Sequence, residues 1–292
     1  MKDKLSWEET INYVRSIPEY CHLIEISYLN EKLQQNVESF RKSDEFLETL
    51  AYIKKYKPDA KTILDIGSGN GVSAVSFALE GYNVIAIEPY LSETVGAGAI
   101  EKLKKYYNLK NLQIFQVYAE ELNLENDFFD LVYLRQCMHH AVDLEIFLKK
   151  IVRHLKKGGM FFSVRDHVIY NEKDKKFFLE NHPLQKYYGG ENAFTSYEYK
   201  NAISKSNLRL KKELKYFDSV INYFPLTKDI KEKNLLERKK NIKEKIKKKT
   251  GKLLNDLIIK IIIEMYLFSN IKPTYNEKKI YGRMYSYIAI KK

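Results

Sequence analysis

The sequence predicts a doubly wound α/β fold: a seven-stranded, mostly parallel sheet, a helical cap before it and an insertion between its last two strands. Three observations lead there. Between residues 61 and 165, short apolar runs alternate with segments of helical spacing, the pattern of a parallel sheet wrapped by crossover helices. The run Ile63-Leu64-Asp65-Ile66 passes into a helix pattern through Gly67-Ser68-Gly69-Asn70-Gly71. A buried strand that turns sharply into a helix needs glycine where the backbone takes unusual angles or meets a ligand closely. The next apolar run ends on another carboxylate, Glu88, 23 residues beyond Asp65.

The elements follow in order. Residues 1–59 read as a helical cap, with Phe40, Phe46, Leu47, Leu50 and Ile53 as expected core contacts. Val72–Leu79 is a helix with Gly81 at its C-cap, and Val84–Ile87 is the second strand. Leu112–Val117 and Phe129–Leu134 are the third and fourth strands. Asp143 caps a helix whose apolar positions are Leu144, Phe147, Ile151, Val152 and Leu155. Lys156-Lys157-Gly158-Gly159 stops it, and Met160–Val164 is the fifth strand. Residues 166–205 form an insertion with a short helix near 172–180 and another capped by Thr195 or Ser196. Arg209–Phe217 is the sixth strand, and Tyr285–Ile290 the seventh, antiparallel to its neighbours. The boundaries are then 1–59 for the cap, 60–227 for the core, 228–272 for a basic amphipathic segment and 273–292 for the final strand.

The chain has 292 residues and a formal charge of +12, unevenly spread. Between Lys228 and Lys252 twelve Lys/Arg face four Asp/Glu, so two-thirds of the excess sits in one segment. A near-neutral remainder argues against a nucleic-acid groove across the catalytic face, and no DNA partner is expected. Leu253–Phe268 is strongly apolar, but Asp256, Lys260 and Glu264 recur every four residues as one polar stripe with i,i+4 pairing. That is an amphipathic helix rather than a span, which takes about 20 apolar residues. Its apolar side would pack on the domain or on a second copy in a homodimer; alternatively, 228–268 would lie on an anionic membrane surface. Two cysteines, Cys21 and Cys137, form no disulfide framework and suit a reducing cytoplasm. No apolar signal core opens the chain. No Cys/His spacing marks a zinc site and no acidic cluster marks a magnesium site, so no metal is expected.

The segment Asp65–Gly71 resembles motif I of the class I S-adenosylmethionine-dependent methyltransferases. The resemblance implies S-adenosyl-L-methionine as cofactor. Asp65, Gly67, Ser68 and Gly69 would meet its amino-acid end, and Glu88-Pro89 its ribose. Tyr118-Ala119-Glu120 resembles the family's adenine-binding turn, often Asp-Ala-Glu, with Tyr118 departing from the pattern. Arg135-Gln136, ending the fourth strand, would border the cofactor, and the N-terminal helices would act as its lid. Arg165-Asp166-His167-Val168-Ile169, His182-Pro183-Leu184 and Tyr188-Gly189-Gly190-Glu191-Asn192 resemble a subgroup of that family often encoded among cell-surface polysaccharide genes.

Methyl transfer to a hydroxyl needs a positioned acceptor and a base that takes its proton. His139 and His140 follow the fourth strand and His167 ends the fifth, where ligands of open α/β sheets bind. His167 is the first choice as base, with Asp166 orienting it and raising its pKa. His140 is the second, and Asp166 or Glu191 a third. His139, Arg165, His182, Tyr188, Glu191 and Asn192 would contact the acceptor, a small polar molecule or glycan precursor. The expected activity is O-methylation of a sugar or similar acceptor. Quinone or lipid C-methylation, RNA methylation and a non-catalytic cofactor-binding regulator remain alternatives. No Asn/Asp-Pro-Pro-Tyr/Phe motif follows the fourth strand, which disfavours the exocyclic amino groups of bases.

Overall fold

The computed structural model describes residues 4–223, 225, 239–240, 242–248, 256–274, 280 and 282–292. Seven strands run in the spatial order β3-β2-β1-β4-β5-β8-β7. They are β1 (Thr62–Ile66), β2 (Asn83–Ile87), β3 (Leu112–Phe115), β4 (Phe129–Arg135), β5 (Leu155–Ile169), β7 (Leu208–Leu214) and β8 (Met284–Lys291). An eighth, β6 (Phe194–Thr195), pairs with the far end of β5. The strands from β3 to β5 are parallel, while β8 lies antiparallel between β5 and β7. The order reverses between β1 and β4, so the crevice of an open sheet lies at the C-terminal ends of β1, β2 and β4.

The helices are α1 (Trp7–Arg15), α2 (Cys21–Ile26), α3 (Leu33–Lys42), α4 (Asp44–Tyr56), α5 (Val72–Leu79), α6 (Ala97–Tyr106), α7 (Leu144–Val152), α8 (Glu172–Asn181), α9 (Pro183–Tyr187), α10 (Ser196–Lys205), α11 (Val220–Tyr223) and α12 (Asp256–Thr274). Their starts are chemically marked. Ser6 and Glu9 form a capping box on α1, and Thr195 and Glu198 another on α10. Asp143 accepts from two backbone N–H groups of α7, and Asn171 from one of α8. One apolar cluster lies between the sheet and α3, α4, α5 and α6, and a second between the sheet and α7 and α10.

Several expected boundaries move. α7 ends at Val152, and Leu155 already pairs with Phe129, so Leu155 belongs to the fifth strand rather than the helix. β5 runs on to Ile169, and Arg165-Asp166-His167 therefore lie within the strand instead of after it. Phe40, Phe46 and Ile53 are buried as expected, whereas Leu47 faces solvent on the outer side of α4. The predicted helix Leu253–Phe268 begins, among described residues, at Asp256; Leu253 and residues 226–238 lie outside them. Its acidic positions pair with another segment rather than within the helix: Asp256 with Lys243 and Lys247, Glu264 with Lys239. Ile259 and Ile263 are buried against Ile242 and Ile246, while Leu257, Ile258, Ile261, Ile262 and Met265 stay exposed. No helix of the described residues is long and apolar enough to cross a membrane.

Asp130 clamps the base of the sheet. Its Oδ2 accepts from Lys61 N (2.9 Å), Thr62 N (3.0 Å) and Thr62 Oγ1 (2.9 Å), and its Oδ1 from Lys156 Nζ (2.8 Å). Burial alone would raise its pKa, but these donors outweigh burial and hold it at about 2. A carboxyl depressed in the folded state stabilises the fold above its unfolded pKa and loses that contribution as pH falls through the folded one. Asp130→Asn should therefore lower unfolding free energy by about 2 kcal/mol near neutral pH. Denaturant titrations should show the gap between parent and variant closing toward pH about 2; a gap constant with pH would contradict this assignment.

Candidate active site

The glycine turn after β1 builds the floor of the crevice. Gly67 and Ser68 both donate backbone N–H to the Ile87 carbonyl (2.9 and 3.0 Å), which seals β1 to β2. Gly67, Gly69 and Gly71 all have positive φ (68°, 55° and 83°), a region costly for residues with a Cβ. A Cβ on Gly67 would also come within 2.6 Å of Cys137 Sγ. A Cβ on Gly69 would meet nothing within 4 Å, so this backbone borders open space.

Two buried carboxylates frame that space. Asp65 Oδ2 accepts from Ser73 Oγ (2.7 Å), while its Oδ1 is buried and, among the described residues, makes no hydrogen bond. Glu88 accepts from Gly69 N through Oε2 (2.7 Å) and from Tyr90 N through Oε1 (3.1 Å). Burial raises both groups to a pKa of about 7. Two buried carboxylates without a cation are costly unless a ligand meets them. The orphaned Asp65 oxygen suits an ammonium, and the Glu88 oxygens suit a pair of hydroxyls. With the open side of Gly69, these features fit the amino-acid and ribose parts of S-adenosylmethionine. Ser68 turns its hydroxyl back to the Asp65 carbonyl (2.9 Å), beside the Asp65 carboxyl. Pro89 offers its carbonyl to Gln116 (3.3 Å). Ala119 and Glu120 start a short 3-10 turn after β3, and Glu120 is exposed.

An aromatic wall missed in the sequence stands next to Glu88. Tyr90 packs edge-on against Tyr118 (6.4 Å between centroids) and Tyr188 (6.4 Å), and shares a hydroxyl–hydroxyl hydrogen bond with Tyr188. Trp7 of α1 packs against Tyr188 (5.5 Å), and Tyr13 against Tyr187 (4.8 Å). Leu5 N donates to the Tyr187 carbonyl (3.1 Å), and Ser92 Oγ to Glu8 (2.7 Å). The N-terminal helix therefore joins the insertion to the loop after β2. Tyr188, expected at the acceptor, is engaged on this side. The position of Tyr90 two residues past Glu88 was the available signal.

Other assignments need correction. The Arg135 side chain, expected beside the cofactor, turns to the helical cap instead: its guanidinium is held by Glu45 of α4 at 2.6 and 3.1 Å and donates to Gln136 Oε1 (3.0 Å). Gln136 is thus tied to Arg135, and its amide nitrogen lies 3.9 Å from Met284 Sδ. Arg165 does not reach the acceptor side either. Positive φ (62°) at a bulge in β5 turns it toward the Ile221 carbonyl (2.7 Å) and Glu45 (3.7 Å).

Asp166 does not orient His167. It accepts from both the backbone N and Nδ1 of His139 (3.0 Å each) and from Ser163 Oγ. Burial would lower the His139 pKa, but Asp166 and Glu191 raise it to about 9. Burial, then the neighbouring imidazoles of His139 and His182, push His167 well below its usual value. Its Nδ1 lies 3.1 Å from the Gly282 carbonyl. His182 Nδ1 and His139 Nε2 stand 3.8 and 3.5 Å from the two oxygens of Glu191. Glu191 stays ionised, held well below the usual carboxylate range by these histidines although burial opposes it. Asn192 turns its side-chain carbonyl to Ala193 N (2.9 Å). His140 alone of the four imidazoles here is exposed, with Nδ1 on the Gly190 carbonyl (3.0 Å). The dense protein beside it and the positive His139 lower its pKa.

The carboxylate pair should make binding of an S-adenosyl ligand in this crevice pH-dependent. The ionised forms are the ones that accept hydroxyls or face an ammonium, so ligand binding favours proton loss. Affinity for S-adenosylhomocysteine, read by calorimetry, should fall as pH drops from about 8 to about 6, and Glu88→Gln should remove part of that slope. Glu88→Ala should weaken binding about tenfold or more, as loss of charged hydrogen bonds of about 1.5–3 kcal/mol implies. Parental affinity in Glu88→Ala would remove Glu88 from the site.

A model of the methyltransferase domain matches residues 32–213. The ubiquinone biosynthesis O-methyltransferase of Rickettsia prowazekii is 28% identical over 138 residues, 47% of this chain and 45% of that protein. Phosphoethanolamine N-methyltransferase 2 of Caenorhabditis elegans is 31% identical over 141 residues, 46% of this chain and 30% of that protein. The chain thus spans less than half the length of these curated relatives. Geranyl diphosphate C-methyltransferase of Streptomyces coelicolor, solved with Mg2+, geranyl diphosphate and S-adenosyl-L-homocysteine, superposes with a TM-score of 0.55 at 13% identity, covering 88% of this chain and 83% of that one. At that identity the likeness is one of fold. The chain belongs to the methyltransferase-domain family and has the class I fold.

Proposed function

We propose that this chain is an O-methyltransferase acting on a small polar acceptor, a sugar of a surface-glycan precursor. Family membership supports methyl transfer, and the rickettsial relative, an O-methyltransferase by name, supports oxygen as the acceptor atom. The sugar is supported by the likeness of residues 165–169, 182–184 and 188–192 to the polysaccharide-linked subgroup.

The observation that carries the hydroxyl acceptor is His140. It is exposed just past the end of β4, and the Gly190 carbonyl fixes its Nδ1 as the N–H donor. Nε2 is then the lone-pair atom and can take a proton from a hydroxyl on the same rim. S-adenosylmethionine supplies the methyl group as an electrophile on its sulfonium. Asp65 would hold the ammonium of the cofactor and Glu88 its ribose hydroxyls, while Trp7, Tyr90, Tyr118 and Tyr188 keep water from that side. His167, buried and packed on Phe178 at 4.6 Å, gives way to His140 as the base.

His140→Ala should lower turnover about 10²–10⁴-fold on small hydroxylated acceptors with labelled cofactor. Its affinity for S-adenosylhomocysteine should stay within about twofold of the parent, since the imidazole serves the acceptor. Turnover equal to the parent would reject His140 as base.

The exposed apolar residues of α12 beside the lysines at 239, 243 and 247 support peripheral contact with an anionic bilayer through 228–268. The protein should sediment with phosphatidylglycerol vesicles but not with phosphatidylcholine vesicles, and added salt should release it. Equal recovery in the supernatant with both lipids would refute that contact.

A further inference from the structure

Beneath the insertion, side chains from separate elements converge on one buried point. His139 comes from the turn after β4, His167 from β5, His182 from the start of α9 and Glu191 from the loop before β6. The rings of His139 and His167 lie 4.8 Å apart, and those of His167 and His182 5.4 Å apart. One ligand atom each from His139, His167 and Glu191 lies within 4.8 Å of the other two. His139, His167 and Glu191 are all more than nine-tenths buried. Among the described residues, Glu191 Oε2 and His182 Nδ1 are buried polar atoms that make no hydrogen bond. Such atoms are expensive to leave unmet.

The outer contacts orient the rings. His139 Nδ1 donates to Asp166 Oδ1 (3.0 Å), and Asp166 is fixed in turn by the His139 backbone N–H and Ser163 Oγ. His167 Nδ1 donates to the Gly282 carbonyl (3.1 Å). In His167 this leaves Nε2 as the lone-pair atom, while His139, positive in the metal-free chain, would give up its Nε2 proton when a metal takes its place beside Glu191. A metal-binding histidine is held in this way, by a carboxylate or a backbone carbonyl on its other nitrogen.

We propose that His139, His167 and Glu191 bind a divalent transition-metal ion of the Zn2+ class, with an open fourth position next to His182. Two imidazoles and one carboxylate suit zinc, and three protein ligands with one open position characterise its catalytic sites. Zinc bonds of about 2.0–2.1 Å put ligand atoms about 3.3 Å apart in a tetrahedron, so shifts of about 1 Å would close the set. His139 Nε2 and Glu191 Oε2 already stand 3.5 Å apart. The sequence shows no metal-ligand spacing because residues 139, 167 and 191 share no local motif. Metal binding does not depend on the proposed O-methyl transfer. Where that reading holds, the open position would take a hydroxyl oxygen of the acceptor and make its proton easier to remove.

The test uses the full chain stripped of metal by a chelator and titrated with zinc chloride. Calorimetry should show saturable binding of about one equivalent, the single site expected of this ligand set. Glu191→Gln and His167→Gln should each weaken it at least about 10–100-fold, the cost known for even an outer contact of such a site. Cys21→Ser, an exposed thiol elsewhere, should leave it unchanged. Thermal unfolding verifies that each variant is folded. The parent alone gives a second readout. With Co2+ in place of zinc, proton NMR should show two hyperfine-shifted exchangeable N–H signals, one from each Nδ1. Absence of stoichiometric binding, binding indifferent to both substitutions, or a Co2+ spectrum without shifted imidazole N–H signals would overturn the proposal.

Discussion

Glu45 is the group on which the arrangement of this molecule most depends. It is wholly buried on α4 and takes two hydrogen bonds from Arg135 at the end of β4, with Arg165 of β5 at 3.7 Å. The Arg135 guanidinium also lies over the rings of Tyr28 and Phe40, at 5.6 and 5.4 Å. Breaking a buried pair by removing one partner leaves an uncompensated charge and costs about 3–5 kcal/mol. The pair therefore sets the helical cap against the strand ends from which every candidate functional loop departs. Cys137, two residues past Arg135, lies under Gly67, and His139 and His140 follow it directly.

The two ends of the crevice treat charge differently. At one end Asp65 and Glu88 are buried beside neutral donors, their pKa values raised, and among the described residues Asp65 Oδ1 makes no hydrogen bond. That arrangement is costly by itself and is held in place by the glycine turn, and under the proposed function a cation and hydroxyls would meet it. At the other end the carboxylates Asp166 and Glu191 are surrounded by imidazoles instead. Imidazoles can carry a proton, give one up or bind a metal, so this end holds the adaptable chemistry. The aromatic contacts of Tyr90, Tyr188 and Trp7 join the two ends through the insertion and α1.

What the sequence disclosed follows from how local each feature is. The glycine turn, α5 over Val72–Leu79 and the caps Asp143 and Thr195 depend on neighbours a few residues away. Strand and helix alternation then fixes the parallel sheet. Features that depend on distant partners stayed hidden. Arg135 meets Glu45 across 90 residues, and Asp166 meets His139 across 27. Sequence adjacency suggested Asp166 with His167, but neighbouring residues of a strand point to opposite faces. The bulge that turns Arg165 inward interrupts a strand whose composition carries no glycine at that point. Leu47 looked like core by type, yet isolated exposed leucines are ordinary on protein surfaces.

A crystal structure with S-adenosylhomocysteine bound tests the central claim most directly. The expected result is a nucleoside at the C-terminal ends of β1 and β2. Glu88 should have left the Gly69 N–H to accept both ribose hydroxyls, and the amino group should lie on Asp65 Oδ1. A nucleoside bound elsewhere, or Glu88 still joined to Gly69 with no ribose contact, would contradict it.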